Sequence, residues 1–237
     1  MKIEIIAEIG QNHNGEIKKA VEMIKIVKEC GADVAKFQLY NAKALFPKEN
    51  NPWYDYNCKT ELSKNDLHRL IDVCNTVGIE FMASVFDDER LMWLEDAGIA
   101  RHKIASRTIN DENLINKTLG TGKETLISLG MWNKSELPIF DGYNNYKFLS
   151  CISKYPTPLG DLSSDDMNFN RYFGFSDHTL GISAPVTAMV KGAKIIEKHF
   201  TLDKKLHGPD HECSMTPKEL TQLVGFKNDL LEITENA

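Results

Sequence analysis

The chain has 237 residues, 42% hydrophobic and 26% charged, with a formal net charge of −6. The composition is ordinary for a soluble globular protein and the length is enough for one large core, close to that of a single (β/α)8 barrel. The acidic balance disfavours a general nucleic-acid surface, and no apolar run approaches the length needed to span a bilayer.

Short apolar runs alternate with helical patterns from end to end. Residues 3–9 read as a first strand. Residues 16–30 read as an amphipathic helix with Ala20, Ile24 and Val27 on one stripe. A second strand covers 32–39, and 41–58 is expected to be an irregular loop. Ser63 caps a helix to residue 76 that Gly78 stops. Strand three (80–86) is followed by a helix over 87–97, strand four (103–106) by a helix over 112–119, and strand five covers 124–129. The rhythm then breaks, because 130–145 offers only a turn near 135–137 before Pro138. Strand six is expected at 146–153, a weak helix at 162–170, strand seven at 172–177, a helix at 181–191 and strand eight at 194–200. The closing helix, 217–232, has Thr216 as N-cap and a proline at its first position. This alternation predicts an α/β fold, a (β/α)8 TIM barrel forming one domain over 1–237, with a shortened connection after strand five. A doubly wound open sheet is the alternative, but no glycine-rich nucleotide loop follows strand one.

The five cysteines are odd in number, widely spaced and without a C-x-x-C pair, so free thiols are expected. The N-terminus lacks a signal peptide's long apolar stretch, and a cytoplasmic location is expected.

Polar residues fall where barrel strands end. Strands seven and eight each run to a histidine, His178 and His199, and the strand–helix–strand unit they bound should be parallel and neighbouring. Parallel neighbours lie about 4.8 Å apart, so the two imidazoles can converge on one ion. Glu8 ends strand one, and Lys36 and Gln38 share one face of strand two. Ser84, Ser106, Ser128, Ser153 and Ser176 lie near the ends of strands three to seven, Lys103 is on strand four, and Glu197 shares a face with His199. Inward lysines need anionic company. Glu8 and Glu197 could supply it as a structural ion network, or a ligand carrying phosphate and carboxylate could.

The segments AEIGQNHNG, GADVAKFQ, KIAS, ISLGM, SKYPTP, GFSDHTLG, EKHFTLD and GPDH occur in this order over nearly the whole chain. Together they resemble the sialic acid synthase family, whose members condense phosphoenolpyruvate (PEP) with an N-acetylated hexose. The resemblance implies a transferase that joins PEP to an aldose, N-acetylmannosamine or a related sugar, giving a 3-deoxy-2-keto sugar acid and phosphate. It implies PEP contacts from Lys36, Ser84, Lys103, Ser106, Ser128, Ser153 and Ser176, and sugar contacts from Gln38, Tyr155 and Asp210. His178 and His199 would hold Mn²⁺ or Mg²⁺, with Glu8 beside the metal and the reacting carbons. Glu8, both lysines and both histidines would be the catalytic set.

The chain departs from the family pattern in the largely missing helix after strand five and in three further places. Arg107 and Thr108 follow KIAS where the family carries an acid two residues after the serine. Ser153 replaces an asparagine, and the family's C-terminal antifreeze-like domain is expected to be absent. The PEP side is therefore expected to be kept and N-acetylmannosamine to be handled poorly. A homodimer, or a separate chain completing the sugar site, is the partner this leaves open, with neither nucleic acid nor membrane. Two rivals also stay open: a metal-dependent sugar aldolase or isomerase, and a non-catalytic barrel that binds PEP or sugar.

Overall fold

Alternating inward residues of β1 (Glu4–Gly10) set out the plan of the molecule: Glu4, Ile6 and Glu8 point to one interior and mark three levels within it. The computed structural model, which describes residues 2–235, closes eight parallel strands in sequence order. After β1 come β2 (Val34–Leu39), β3 (Glu80–Val85), β4 (His102–Ile104), β5 (Thr125–Ser128), β6 (Tyr146–Cys151), β7 (Gly174–Asp177) and β8 (Ile195–His199). The predicted (β/α)8 barrel is thus the observed fold.

The middle level is apolar. Ile6, Val34, Met82, Leu126, Leu149 and Ile195, from six of the strands, form one buried cluster, which fills the barrel as a packed core. Gly174 takes the place of a seventh side chain. A Cβ there would meet the Ile195 carbonyl oxygen at 2.4 Å and Leu149 Cδ2 at 2.9 Å, so the close approach of β6, β7 and β8 needs glycine.

The lower level, at the N-terminal ends of the strands, is ionic. Arg101 pairs with Glu4 at 2.9 Å, Glu80 at 2.8 Å and Glu124 at 3.4 Å, and Lys147 also holds Glu124. The upper level opens to the cavity described below.

Outward residues pack on helices α1 (Ile17–Glu29), α4 (Lys64–Val77), α5 (Asp88–Asp96), α6 (Glu112–Gly120), α7 (Ser183–Val190) and α8 (Pro217–Glu235). On α1 the buried stripe is Ala20, Met23, Ile24 and Val27, at helical spacing. A capping box between Ser63 and Asp66 opens α4, and Gly78, at φ 73°, closes it. Thr216 and Glu219 exchange the same reciprocal bonds at the start of α8.

Two expectations about connections are corrected. The loop expected over 41–58 contains α2 (Ala42–Leu45), capped by Asn41, and α3 (Tyr54–Thr60). The helix expected at 162–170 is absent. Ser163 and Asp166 do form capping bonds, but the Asn168 side chain then accepts the Asn170 N–H, and this local turn competes with propagation. A 3₁₀ turn at Leu159–Asp161 is the helical piece there. After β5, residues 129–145 are full-length chain without an α-helix, so helix is missing there rather than residues. Around β6, aromatic side chains replace helices on the outer wall: Trp132, Phe140, Tyr143, Tyr146, Phe148 and Tyr172 pack on Ile104, Ile115 and Ile127. Among the described residues no helix is long and apolar enough to cross a membrane.

Candidate active site

The upper ends of the strands surround a cavity of about 530 Å³. Every residue expected from the sequence to bind PEP, sugar or metal lines it. Its floor is a buried charge network. Lys36 Nζ lies 2.7 Å from Glu8 Oε2, 3.6 Å from Glu197 Oε2, and donates to Ser84 Oγ at 3.2 Å. Lys103 Nζ donates to Ser128 Oγ at 2.8 Å and to the Ile104 carbonyl at 3.0 Å, and lies 3.7 Å from Glu197 Oε1. Ser176 Oγ donates to the same Glu197 oxygen, and Gln38 Nε2 donates to Glu8 Oε1. The lysines therefore have their anionic company within the protein, two ammoniums facing two carboxylates.

Burial splits the members of this network. It pushes the Glu8 carboxyl up, aided by repulsion from Glu197, and Lys36 only partly offsets this. Glu197 suffers the same burial, but Lys103 and Lys36 together hold it below the usual range. Lys36 is likewise held up by its two carboxylates against burial, whereas burial pushes Lys103 down. Of the two carboxylates, Glu8 is therefore the one on which a proton is favoured.

Hydroxyls without ammonium partners come next. Ser106, in the 3₁₀ turn Ser106–Thr108 after β4, accepts the Gly130 N–H at 3.0 Å and donates to Cys151 Sγ at 3.4 Å. Ser153 lies just past the end of β6. Gly130 has no side chain where these groups meet, and a Cβ would come within 2.6 Å of Ser153 Oγ and 2.8 Å of Cys151 Sγ.

Beside Cys151 stand the two imidazoles, His178 one residue beyond β7, its Nδ1 3.8 Å from Cys151 Sγ, and His199 at the last position of β8, with ring centres 5.6 Å apart. His178 Nδ1 lies 2.8 Å from the Ile152 carbonyl, which can only accept, so this nitrogen carries a proton and Nε2 is the one left for a ligand. His199 Nδ1 is buried without a hydrogen bond, 3.8 Å from Asp210 Oδ2. Burial, together with repulsion from His178 and Lys36, keeps His199 neutral, far below the usual imidazole range. Burial also pushes Asp210 up to about 6, with Glu8 adding to the effect and His178 opposing it. Among the described residues no group of three or more His, Cys, Asp or Glu is gathered as a metal cage. Burial works against a charge on His178 too, but Cys151 and the Ile152 carbonyl push its pKa up. Two adjacent imidazoles, one with an orphaned ring nitrogen, fit a divalent ion that takes its other ligands from water or substrate oxygens and displaces any second proton on His178.

Asp210 reaches the cavity from the loop after β8, which is tied down by the first loop. Met215 N–H donates to the His199 carbonyl, Ser214 Oγ to the Asp210 carbonyl, and Asn12 Nδ2 to both the Phe200 carbonyl and Ser214 Oγ. On the other side of the mouth, α2 and α3 bring Phe46, Trp53 and Asn57 to the rim, and Tyr155 packs its ring 4.0 Å from His178. Arg107 lines the rim as well. Thr108 is buried and does not line the cavity, so its departure from the family pattern has no direct contact with a ligand there.

Sequence reasoning missed Cys151, Gln11 and the aromatic rim. Cys151 shares the inward parity of Leu149 and Ser153, a signal that was available. Gln11 and Asn57 are fixed by Tyr40, whose hydroxyl touches Gln11 Nε2 at 2.6 Å, and such a tertiary contact leaves no local pattern.

A family model described as the NeuB family matches residues 23–235. The chain is 37% identical over 248 residues to an N,N'-diacetyllegionaminic acid synthase of Legionella pneumophila, covering 93% of this chain and 70% of that protein. It is 35% identical to the human N-acetylneuraminate-9-phosphate synthase, covering 93% and 68%. Among solved structures, an N-acetylneuraminic acid synthetase from Leptospira borgpetersenii in complex with citrate superposes with a TM-score of 0.90 at 31% identity, over 99% of this chain and 85% of that one.

Proposed function

The chain belongs to the NeuB family, and from that premise we propose that it condenses PEP with an aldose, an N-acetylated or related hexose, to a 3-deoxy-2-keto sugar acid with release of phosphate. The observation that carries this reading is one cavity lined by two buried ammoniums, a set of hydroxyls and two adjacent imidazoles. Such a floor suits a small trianionic ligand, and the imidazoles suit a carbonyl to be activated beside it.

In this reading Lys36 and Lys103, with Ser84, Ser106, Ser128, Ser153 and Ser176, bind the carboxylate and phosphate of PEP through charge-assisted and hydroxyl hydrogen bonds. Binding draws the lysines partly away from Glu8 and Glu197. Glu8, whose carboxyl is already pushed up, is then placed to take a proton from the water that adds at C2. Mn²⁺ or Mg²⁺ held by His178 and His199 would polarise the acceptor's aldehyde oxygen as a Lewis acid. PEP C3 bonds to the aldehyde carbon as the C2=C3 π bond opens and the aldehyde C=O electrons pass to its oxygen. Water oxygen adds to C2 and gives one proton to Glu8, which passes on to the aldehyde oxygen. The bond from C2 to the bridging phosphate oxygen then breaks as the C2 carbonyl forms, and the second water proton leaves with phosphate. Gln38, Tyr155 and Asp210 orient the acceptor.

The test is phosphate release by purified protein given PEP, Mn²⁺ and a panel of aldoses. Turnover is expected, abolished by EDTA and restored by Mn²⁺, and Mn²⁺ binding read by calorimetry should be lost in His178→Ala and His199→Ala. Absence of phosphate release with every aldose in the Mn²⁺-loaded protein would reject the reading.

A further inference from the structure

The charges on the cavity floor are balanced, but the rim carries a cation with no counter-charge. Arg107 follows β4, and its guanidinium carbon stands 4.9 Å over the ring of Phe46 from the β2–β3 connection. Among the described residues no carboxylate lies within ion-pairing distance of it. Of the other four arginines, Arg69 is an exposed residue that does not line the cavity, and the remaining three are ion-paired. Arg90 holds Glu61, Asp87 and Glu89, Arg101 holds three glutamates, and Arg171 holds Asp165. Partial burial lowers the Arg107 pKa, and the titratable group acting against that is the phenol of Tyr155. An exposed guanidinium over an aromatic face, lining a cavity, is a planar fork ready for a carboxylate or phosphate.

Position adds direction to this chemistry. In a closed barrel of eight strands in sequence order, β4 lies opposite β8. Arg107 therefore sits across the mouth from His199 and Asp210. An aldose whose aldehyde lies at the imidazoles and whose carbon chain crosses the cavity brings its far end to Arg107.

We propose that Arg107 is a specificity-determining residue that binds an anionic group, a carboxylate or a phosphate ester, carried by the acceptor at the end remote from its aldehyde. This rests on the reading of the cavity as a PEP–aldose condensing site. PEP has its own cations on the floor, so the guanidinium is left for the second substrate. Phe46 holds the guanidinium plane, so a lysine at 107 would keep the charge but lose the fork and the stacking.

The experiment measures phosphate release by the Mn²⁺-loaded protein with saturating PEP and four acceptors: a neutral hexose, a neutral N-acetylhexosamine, a hexose 6-phosphate and a hexuronic acid. The wild type should favour one of the two anionic acceptors, and which one identifies the group bound. In Arg107→Met the ratio of kcat/KM for that acceptor to kcat/KM for its neutral counterpart should fall about ten- to a hundredfold, through KM, as expected for a lost charge-assisted contact. Arg107→Lys should recover part of the ratio, and KM for PEP should stay within a factor of about two. A wild type that prefers neutral acceptors, an unchanged ratio in Arg107→Met, or a rise in KM for PEP instead would overturn the proposal while leaving the condensing reading intact. No turnover on any acceptor would overturn both.

Discussion

The two ends of the barrel hold the same kinds of charge and use them differently. At the lower end one guanidinium is surrounded by three glutamates, with Lys147 completing the set. At the upper end two ammoniums share two carboxylates beneath an open cavity, and the pairs from Lys36 and Lys103 to Glu197 are loose, at 3.6 and 3.7 Å. An arginine fork saturated by carboxylates has little left for a ligand. Lysine is a point charge that can be shared and redirected. The difference teaches that a buried ion cluster is read by how tightly its pairs are held, since the tight one closes the barrel and the loose one leaves ammoniums that a substrate can draw to itself.

Breaking the upper cluster should have the largest effect on activity. Lys36→Met is expected to lower kcat/KM for PEP by about ten- to a hundredfold, each charge-assisted contact being worth about 1.5–3 kcal/mol. Its folding loss should be smaller, because Glu8 can take up a proton once its cation is gone. Steady-state kinetics beside urea unfolding checks both halves. If Lys36→Met unfolds early yet turns over PEP normally, the upper network is structural like the lower one.

Breaking the lower cluster should invert that pattern. Arg101→Met leaves Glu4, Glu80 and Glu124 crowded at the barrel floor and is expected to cost about 3–5 kcal/mol of stability. Activity per folded molecule should be unchanged, measured below the unfolding transition.

The smallest effect sharpens the contrast through pH. The lower cluster holds Glu124 ionised: burial works against this, but Lys147 and Arg101 outweigh it. Asp210 at the upper end is pushed up to about 6. A folded-state pKa above the unfolded one means that the folded protein binds the extra proton, so stability rises as pH falls through that window. Relative to Asp210→Asn, the wild type should gain about 2–3 kcal/mol between about pH 7 and 4. Parallel pH dependences of the two proteins would show that Asp210 titrates normally.

How much of this was legible in the sequence follows from what each feature depends on. Period-two alternation placed Lys36 with Gln38 and Glu197 with His199, because a strand's parity is local. The same parity would have drawn Cys151 into the site and gathered Glu4, Glu80, Arg101 and Glu124 at strand starts. The helix expected at 162–170 failed for a local reason, since Ser163 and Asp166 give a true start signal that Asn168 cancels. Helix α3 failed to show for a distant one: the Tyr56 hydroxyl lies 2.8 Å from Asn14 Oδ1 and 3.0 Å from the Gln11 carbonyl, and no window around residue 56 contains those partners.

The tie between Asn12 and the loop after β8 has a kinetic consequence. Its two hydrogen bonds span 188 and 202 residues of chain, and β1 pairs with β8 along the same seam. Loop-closure entropy for such contacts is spent before they return anything, which makes them late events in folding. Strands one to seven can therefore be laid side by side while Asp210 and His199 are still unplaced. The floor cations can assemble only partly at that stage, because Glu197 arrives with the same last strand. A chain emerging in order from its N-terminus thus acquires its acceptor side in the final act of closure, and until then the first strand waits with an unpaired edge.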